Sequence, residues 1–180
     1  MSSPNMLTAN ELMRLHMPNK RTELVRGRLN VREPTGLRHG AIAGELTVRL
    51  RNFVAGRSLG IVVAAETGFK IFSDPDTVRA PDVGFIRADR VPRPLPRGYA
   101  AVAPDLAVEV LSPDDRAGEV LDKVGDWLTA GCRLVWVLDP ERRIARVYRA
   151  DGSESLVSID GSLDGEDVVL GFACSIAEIL

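Results

Sequence analysis

A lone carboxylate in the middle of an apolar strand constrains this chain more than any other feature. The stretch APDLAVEVLSPDD at residues 103–115 sets Glu109 within a run of valine, leucine and alanine, the pattern of a strand covered on both faces. An isolated carboxylate in such a place costs several kcal/mol unless a proton, a partner or a metal compensates it. Whatever fold forms must bring a compensating group to Glu109. Side chains in AVEVL alternate, so Ala107, Glu109 and Leu111 share one face while Val108 and Val110 take the other.

The 180 residues, 45% hydrophobic and 27% charged, are enough for one domain with a sizeable core. We expect an N-terminal helical extension over residues 1–19 and a single domain over 20–180. No apolar run approaches the roughly 20 residues of a membrane span. The start, MSSPNMLTANELMRLH, lacks the continuous apolar segment of a secretion signal, so a cytoplasmic location is expected. Cys132 and Cys174 show no CxxC or Cys/His spacing and are expected to be reduced core residues.

A net charge of −2 excludes the basic surplus of tight non-specific DNA binders, so any nucleic-acid contact must be local. Lysine occurs only at Lys20, Lys70 and Lys123, and the other basic residues are arginine. Clusters in RTELVRGRLNVRE, IRADRVPRPLPR and ERRIARVYR suit guanidinium contacts to phosphate. The simpler reading is an ordinary solvated surface.

Residues 7–17 predict a short helix with Thr8 as N-cap, and TELVRGRLNV a hairpin turning at Arg26 and Gly27. Ile42, Leu46, Leu50 and Phe53 recur at helical spacing between Arg38 and Val54. Two strand-like runs follow in IVVAAETGFKIF, then a strand in RAPDVGFI. The proline-rich loop over 87–104 is expected to cover one side of a cleft. After the Glu109 strand, residues 114–130 form an amphipathic helix that should stop at Gly131. RLVWVLDP is a buried strand, and the strand, helix, strand succession implies a parallel crossover. RIARVYR reads as an edge strand, and VVLGFACSIAEIL as a last strand and a short helix with a Ser175/Glu178 capping box.

Asp82 opens PDVGFI as Glu109 lies within AVEVL. If the two strands are neighbours, the carboxylates converge on one point, as a hard divalent cation requires. The simpler readings are a turn role for Asp82 after its proline and an ion pair with a buried arginine for Glu109.

The pair PD…ExL, with LVRGRL, the helix bearing His39, APDVGFI, VEVLSP, DKVGDWLTAGCRLVWVLDP and a closing VYR, resembles the Uma-two family, a restriction-endonuclease branch of the PD-(D/E)XK nuclease superfamily. The match runs from about Glu23 to the C-terminus. It implies an α/β fold of the restriction-endonuclease type, with a three-layer core, a mixed β-sheet flanked by helices and an N-terminal β-hairpin extension. It further implies a metal-dependent phosphodiesterase site, with Mg2+ or Mn2+ held by Asp82 and Glu109.

The superfamily lysine two residues beyond the glutamate is Leu111 here, and the resemblance moves it to the following helix, at Lys123. At about 100° per residue Lys123 falls on the flank of the apolar face, beside Val120 and Trp127, and its stem can reach the sheet. The simpler reading is an i, i+4 pair with Glu119. His39 matches a family histidine and is a candidate for phosphate binding or for assisting at the metal. Glu66 and Glu23 are candidate acids at the cleft and its rim, with solvated or hairpin-pairing roles as the alternative.

The expected activity is Mg-dependent endonuclease cleavage of nucleic acid, most directly DNA. A homodimer is expected, because duplex DNA has two strands and RIARVYR offers an edge. Leu111 motivates the alternative, a catalytically inactive nuclease-fold module for nucleic-acid or protein binding. A third reading is a subunit of a toxin or defence system that acts only with a partner.

Overall fold

The computed structural model describes residues 6–180; residues 1–5, the start of the stretch read for a secretion signal, lie outside the described residues. In chain order the elements are α1 (Ala9–Arg14), β1 (Arg21–Val25), β2 (Arg28–Arg32), α2 (Leu37–Ala55), β3 (Gly60–Ala64), β4 (Phe69–Phe72), β5 (Thr77–Arg79), β6 (Val83–Arg87) and β7 (Leu106–Val110). They continue with α3 (Ala117–Thr129), β8 (Leu134–Asp139), β9 (Ile144–Arg149), β10 (Glu154–Val157), β11 (Ser162–Asp164), β12 (Ala173–Ser175) and a 3-10 turn at Ile176–Glu178.

The two continuous apolar runs, β7 and β8, sit in the middle of a six-stranded mixed sheet ordered β10-β9-β8-β7-β6-β3. They are its parallel pair, with Glu109 opposite Val137, and α3 makes the connection between them. Every other pairing in this sheet is antiparallel. Their unbroken hydrophobicity follows from cover on both faces. On one face Ile42, Leu46, Leu50 and Val54 of α2 pack on Phe85, Val108, Trp136 and Leu138, with Leu163, Phe172 and Ile176 closing the side. On the other, Val124 and Trp127 of α3 meet Phe69, Ala107, Val135 and Val137. Full burial stabilises each large apolar side chain here by about 1.5–3 kcal/mol. The layers are therefore helix, sheet, helix.

The predicted hairpin is present, with its Arg26 and Gly27 at φ 48° and 75°, the sign that a two-residue hairpin turn demands at both positions. It is continued by β5 and β4 into a second, four-stranded sheet ordered β2-β1-β5-β4. Thr8 and Glu11 form a reciprocal capping box at α1, and Leu12 packs on Leu24 and Val78 of this sheet. The second sheet was hidden in the sequence because β5 is three residues, all buried, so it shows no alternation. The two runs expected in IVVAAETGFKIF are β3 and β4, and they lie in different sheets.

Three expectations are corrected. RIARVYR is not an edge strand, since β10 pairs with β9 along Glu154–Val157, so the free edge on which a dimer was expected is covered. Ser175 makes no side-chain cap bond; the segment is one 3-10 turn, too short to hold a capping box. Of VVLGFACS only Ala173–Ser175 is a strand, pairing with β11. Among the described residues no helix is long and apolar enough to cross a membrane.

The entry to β3 depends on Gly60, at φ 156°, where an added Cβ would lie 2.0 Å from the Ile86 carbonyl oxygen. Gly60→Ala is expected to cost about 2 kcal/mol or more through this backbone clash, read as a lowered thermal midpoint against wild type.

Candidate functional site

The compensating group for Glu109 is a lysine and an indole together. Glu109 Oε2 accepts from Lys123 Nζ at 2.8 Å and Oε1 accepts from Trp127 Nε1 at 2.8 Å. Helical geometry makes this possible, because residues 123 and 127 are four apart and rise one above the other on α3, which packs on the face of β7 that carries Glu109. The alternative reading of Lys123, an i, i+4 pair with Glu119, is not what forms. Glu119 turns instead to Arg32 of the hairpin, at 2.8 Å.

Lys123 Nζ donates to the Ala80 carbonyl at 2.9 Å and meets Glu23 Oε1 at 3.1 Å, so all three of its protons are engaged. Glu23 is held in turn. Its Oε1 accepts from the Ala80 amide at 2.9 Å, and its Oε2 from Arg79 Nη1 at 3.0 Å. Arg79 then donates through Nε and Nη2 to Asp126 Oδ2, at 3.0 and 2.6 Å. Asp126 adjoins Trp127 on α3, so the chain of contacts closes on itself. A ring of alternating charges ties β1 and β5 of the second sheet to α3 and β7 of the first.

Asp82 stands beside this ring at the start of β6. Its Oδ2 accepts from the Val110 amide at 2.8 Å and contacts His39 Nε2 at 3.1 Å. Among the described residues its Oδ1 has only a 3.5 Å approach from Arg21 Nη1. Antiparallel pairing of β6 with β7, Val83 opposite Val108, brings Asp82 next to Glu109, as convergence of the two carboxylates requires.

The charges are unevenly compensated. Burial pushes Glu109 up to about 7, with Asp82 and Glu23 adding to the rise and Lys123 opposing it. Burial alone would lower Lys123, but Glu109, Glu23 and Asp82 outweigh it and hold the ammonium above its ordinary value. Burial raises Asp82 too, yet its bond to His39 and the Lys123 charge leave it below its usual range. Glu23 ends below its usual range as well, where Lys123 and Arg79 overcome its burial.

These groups lie on a cleft of about 720 Å³ between the two sheets. The hairpin side of it carries Lys20, Arg21, Arg26, Arg28 and Arg32, so the first arginine cluster faces the acids. In the other two clusters Arg87, Arg90 and Arg149 pair with Asp89, Asp105 and Glu166. The proline-rich loop reaches the cleft through Tyr99, and Glu66 lines it from an exposed turn at φ 66°. Asp82, Glu109, Lys123, His39 and Glu23 are thus brought together, with Glu66 at the margin. Sequence reasoning missed Arg79, Asp126 and the polar role of Trp127. An aspartate beside a tryptophan in the apolar stripe of α3 was the available signal.

The donor set fits a hard divalent cation in kind. Asp82 Oδ1 is nearly free, and Glu109 adds a second carboxylate whose charge its neighbours oppose, so a cation between them relieves a real repulsion. Among the described residues no group of three or more His, Cys, Asp or Glu is arranged to hold a metal. Two carboxylates match magnesium, which commonly keeps several waters, better than ions that need a full protein cage.

The three layers, with these acids on inner strands of the mixed sheet, define a restriction-endonuclease-like fold. The model of the Uma2 family, described as "Putative restriction endonuclease", matches residues 9–177, and the chain belongs to that family. It is similar over 96% of its length to the crystal structure of a "putative nuclease belonging to DUF820" from Anabaena variabilis, 97% of which is covered, at 22% identity and a TM-score of 0.81. No curated protein matches.

Two outcomes follow from the ring. Arg79→Met leaves Glu23 and Asp126 buried without their shared cation and is expected to cost about 3–5 kcal/mol, measured by urea denaturation. For Glu109 the folded value is raised, so between about pH 4.5 and about 7 the folded protein holds a proton that the unfolded chain has lost. The stability due to this group therefore falls as pH rises through that window and is level above it. Wild type should lose stability across the window relative to Glu109→Gln, with denaturant midpoints at each pH as the check.

Proposed function

We propose that the protein is a metal-dependent hydrolase of nucleic-acid phosphodiester bonds, with DNA as substrate. The observation that carries this is the meeting of Asp82, Glu109 and Lys123 at the floor of a cleft whose opposite wall is arginine-rich. Asp82 through Oδ1 and Glu109 would hold Mg2+ or Mn2+, which when bound polarises the phosphoryl oxygen and lowers the pKa of a water.

The chain's own groups do the rest. Asp82 is aimed by the Val110 amide and His39, so its free oxygen points to one place. His39, with both its ring edges buried, acts by positioning Asp82 and not by touching substrate. Lys123 is kept protonated by three carboxylates, which suits it to offsetting negative charge that develops on the phosphate and not to taking a proton. Glu23 and Arg79 hold Lys123 in that position. Trp127 and the apolar floor keep water from the inner side of Glu109.

A second reading is favoured by one observation: Lys123 and Trp127 already occupy both Glu109 oxygens. On that reading the fold is a nucleic-acid-binding or protein-binding module without chemistry, and Glu109 is a structural group. Calorimetry with Mn2+ separates the two. Under the hydrolase reading wild type binds Mn2+, Asp82→Ala does not, and Asp82→Ala and Lys123→Gln, which keeps a donor for Glu109 and removes the charge, each lower cleavage of plasmid DNA by at least about a hundredfold while circular dichroism stays native. Wild type that binds no divalent cation would favour the module.

A further inference from the structure

Arg21 is an arginine of the hairpin wall that is partly buried and whose present contacts do not account for it. In the hairpin register Arg21 stands directly opposite Arg32, and like charges in that relation repel. Arg32 is compensated twice, by Asp115 at 2.9 Å and Glu119 at 2.8 Å. Arg21 has only the 3.5 Å approach of Nη1 to Asp82 Oδ1. Its Nε is buried and has no hydrogen-bond partner among the described residues, which is costly for a charged donor. The side chain is otherwise 29% exposed and lines the cleft.

The oxygen it leans on is the one a cation would need. Asp82 Oδ2 is taken by Val110 and His39, so Oδ1 is the oxygen left for any new partner. A guanidinium and a divalent cation cannot both sit on it, because their charges repel and their positions overlap. Resting the wide, planar arginine head here leaves a long contact and an orphaned Nε. A phosphate in the cleft would satisfy both, since the guanidinium fork matches a phosphate edge with two parallel bonds.

We propose that Arg21 is a phosphate clamp whose release is coupled to metal binding: with a divalent cation at Asp82, its guanidinium leaves Oδ1 and holds a nucleic-acid phosphate in the cleft. The assignment rests on the hydrolase reading above and adds an order to it, cation before nucleic acid. Arg21 then competes with the metal when substrate is absent and binds the substrate when the metal is present. Removing it moves the two affinities in opposite directions, which loss of a merely structural arginine would not do.

The test uses the full chain, with Arg21→Ala and with Arg21→Gln, which keeps much of the stem and removes the charge. Mn2+ affinity is measured by calorimetry without nucleic acid. Binding of a short fluorescein-labelled DNA duplex is measured by anisotropy with Mn2+ present, in a cleavage-deficient Lys123→Gln background that keeps a donor for Glu109 and is shown to be folded by circular dichroism. Both variants are expected to bind Mn2+ roughly tenfold tighter, as loss of a neighbouring unit charge implies, and to hold the duplex several-fold more weakly. Equal or weaker Mn2+ binding in both, with wild type binding normally, overturns the Arg21 assignment and leaves the hydrolase reading standing. Duplex binding that does not weaken overturns the clamp equally. Absence of Mn2+ binding in wild type overturns the hydrolase reading and the clamp with it.

Discussion

Burial of the Glu109 carboxylate between Lys123 and Trp127 is the interaction on which the rest of the architecture depends. A charge of this kind inside a sheet is tolerated only where donors reach both oxygens, and here each donor comes from α3. That requirement sets the rotation of α3 about its axis and its height along β7. It also recruits the second sheet, because Lys123 is itself buried and needs Glu23, which needs Arg79, which needs Asp126 on the same helix. The acid, the lysine and the docking of the two sheets are one electrostatic problem with one solution.

The cleft is a consequence of that solution. Since β1 and β5 are tied to α3 through the charge ring, the hairpin is held over the ends of β6 and β7, with its arginines facing Asp82 and Glu109. A protein of net charge −2 thereby presents a local basic wall against an acidic floor. Segregating charge within one cleft in this way leaves the overall composition unremarkable while making the site electrostatically specific. Buried ion pairs are seldom worth much to stability in themselves, so a ring this extensive is better understood as fixing the geometry of the acids than as adding to the folding free energy.

The position of Lys123 has a plain physical basis. A side chain two positions beyond Glu109 shares its face, and Leu111 there is only half-buried and apolar. A lysine on α3, one helical turn before the tryptophan that closes the carboxylate, reaches the same oxygen from above the sheet, because β7 and α3 are consecutive and packed. An ammonium is thereby placed at the Glu109 carboxylate through α3 and not through the strand.

Local pattern determined much of this protein by itself. The strands β6, β7 and β8, the helices α2 and α3 and the Arg26-Gly27 turn were legible because period and turn chemistry are short-range properties. Glu109 was legible as a charge in an apolar run and Asp82 as the acid opening a neighbouring strand, whereas Lys123 was reached through the family resemblance, because local pattern allowed it a pair with Glu119. Tertiary structure alone decided what compensates Glu109, since Trp127 reads as core by its spacing and reveals its N–H only when α3 is laid on β7. It alone decided the second sheet and the cover of β9 by β10, because pairing of short strands depends on partners far along the chain. Arg79 and Asp126 were hidden for the same reason: an ion pair spanning 47 residues leaves no trace in the local pattern, and only the folded chain brings its two halves together.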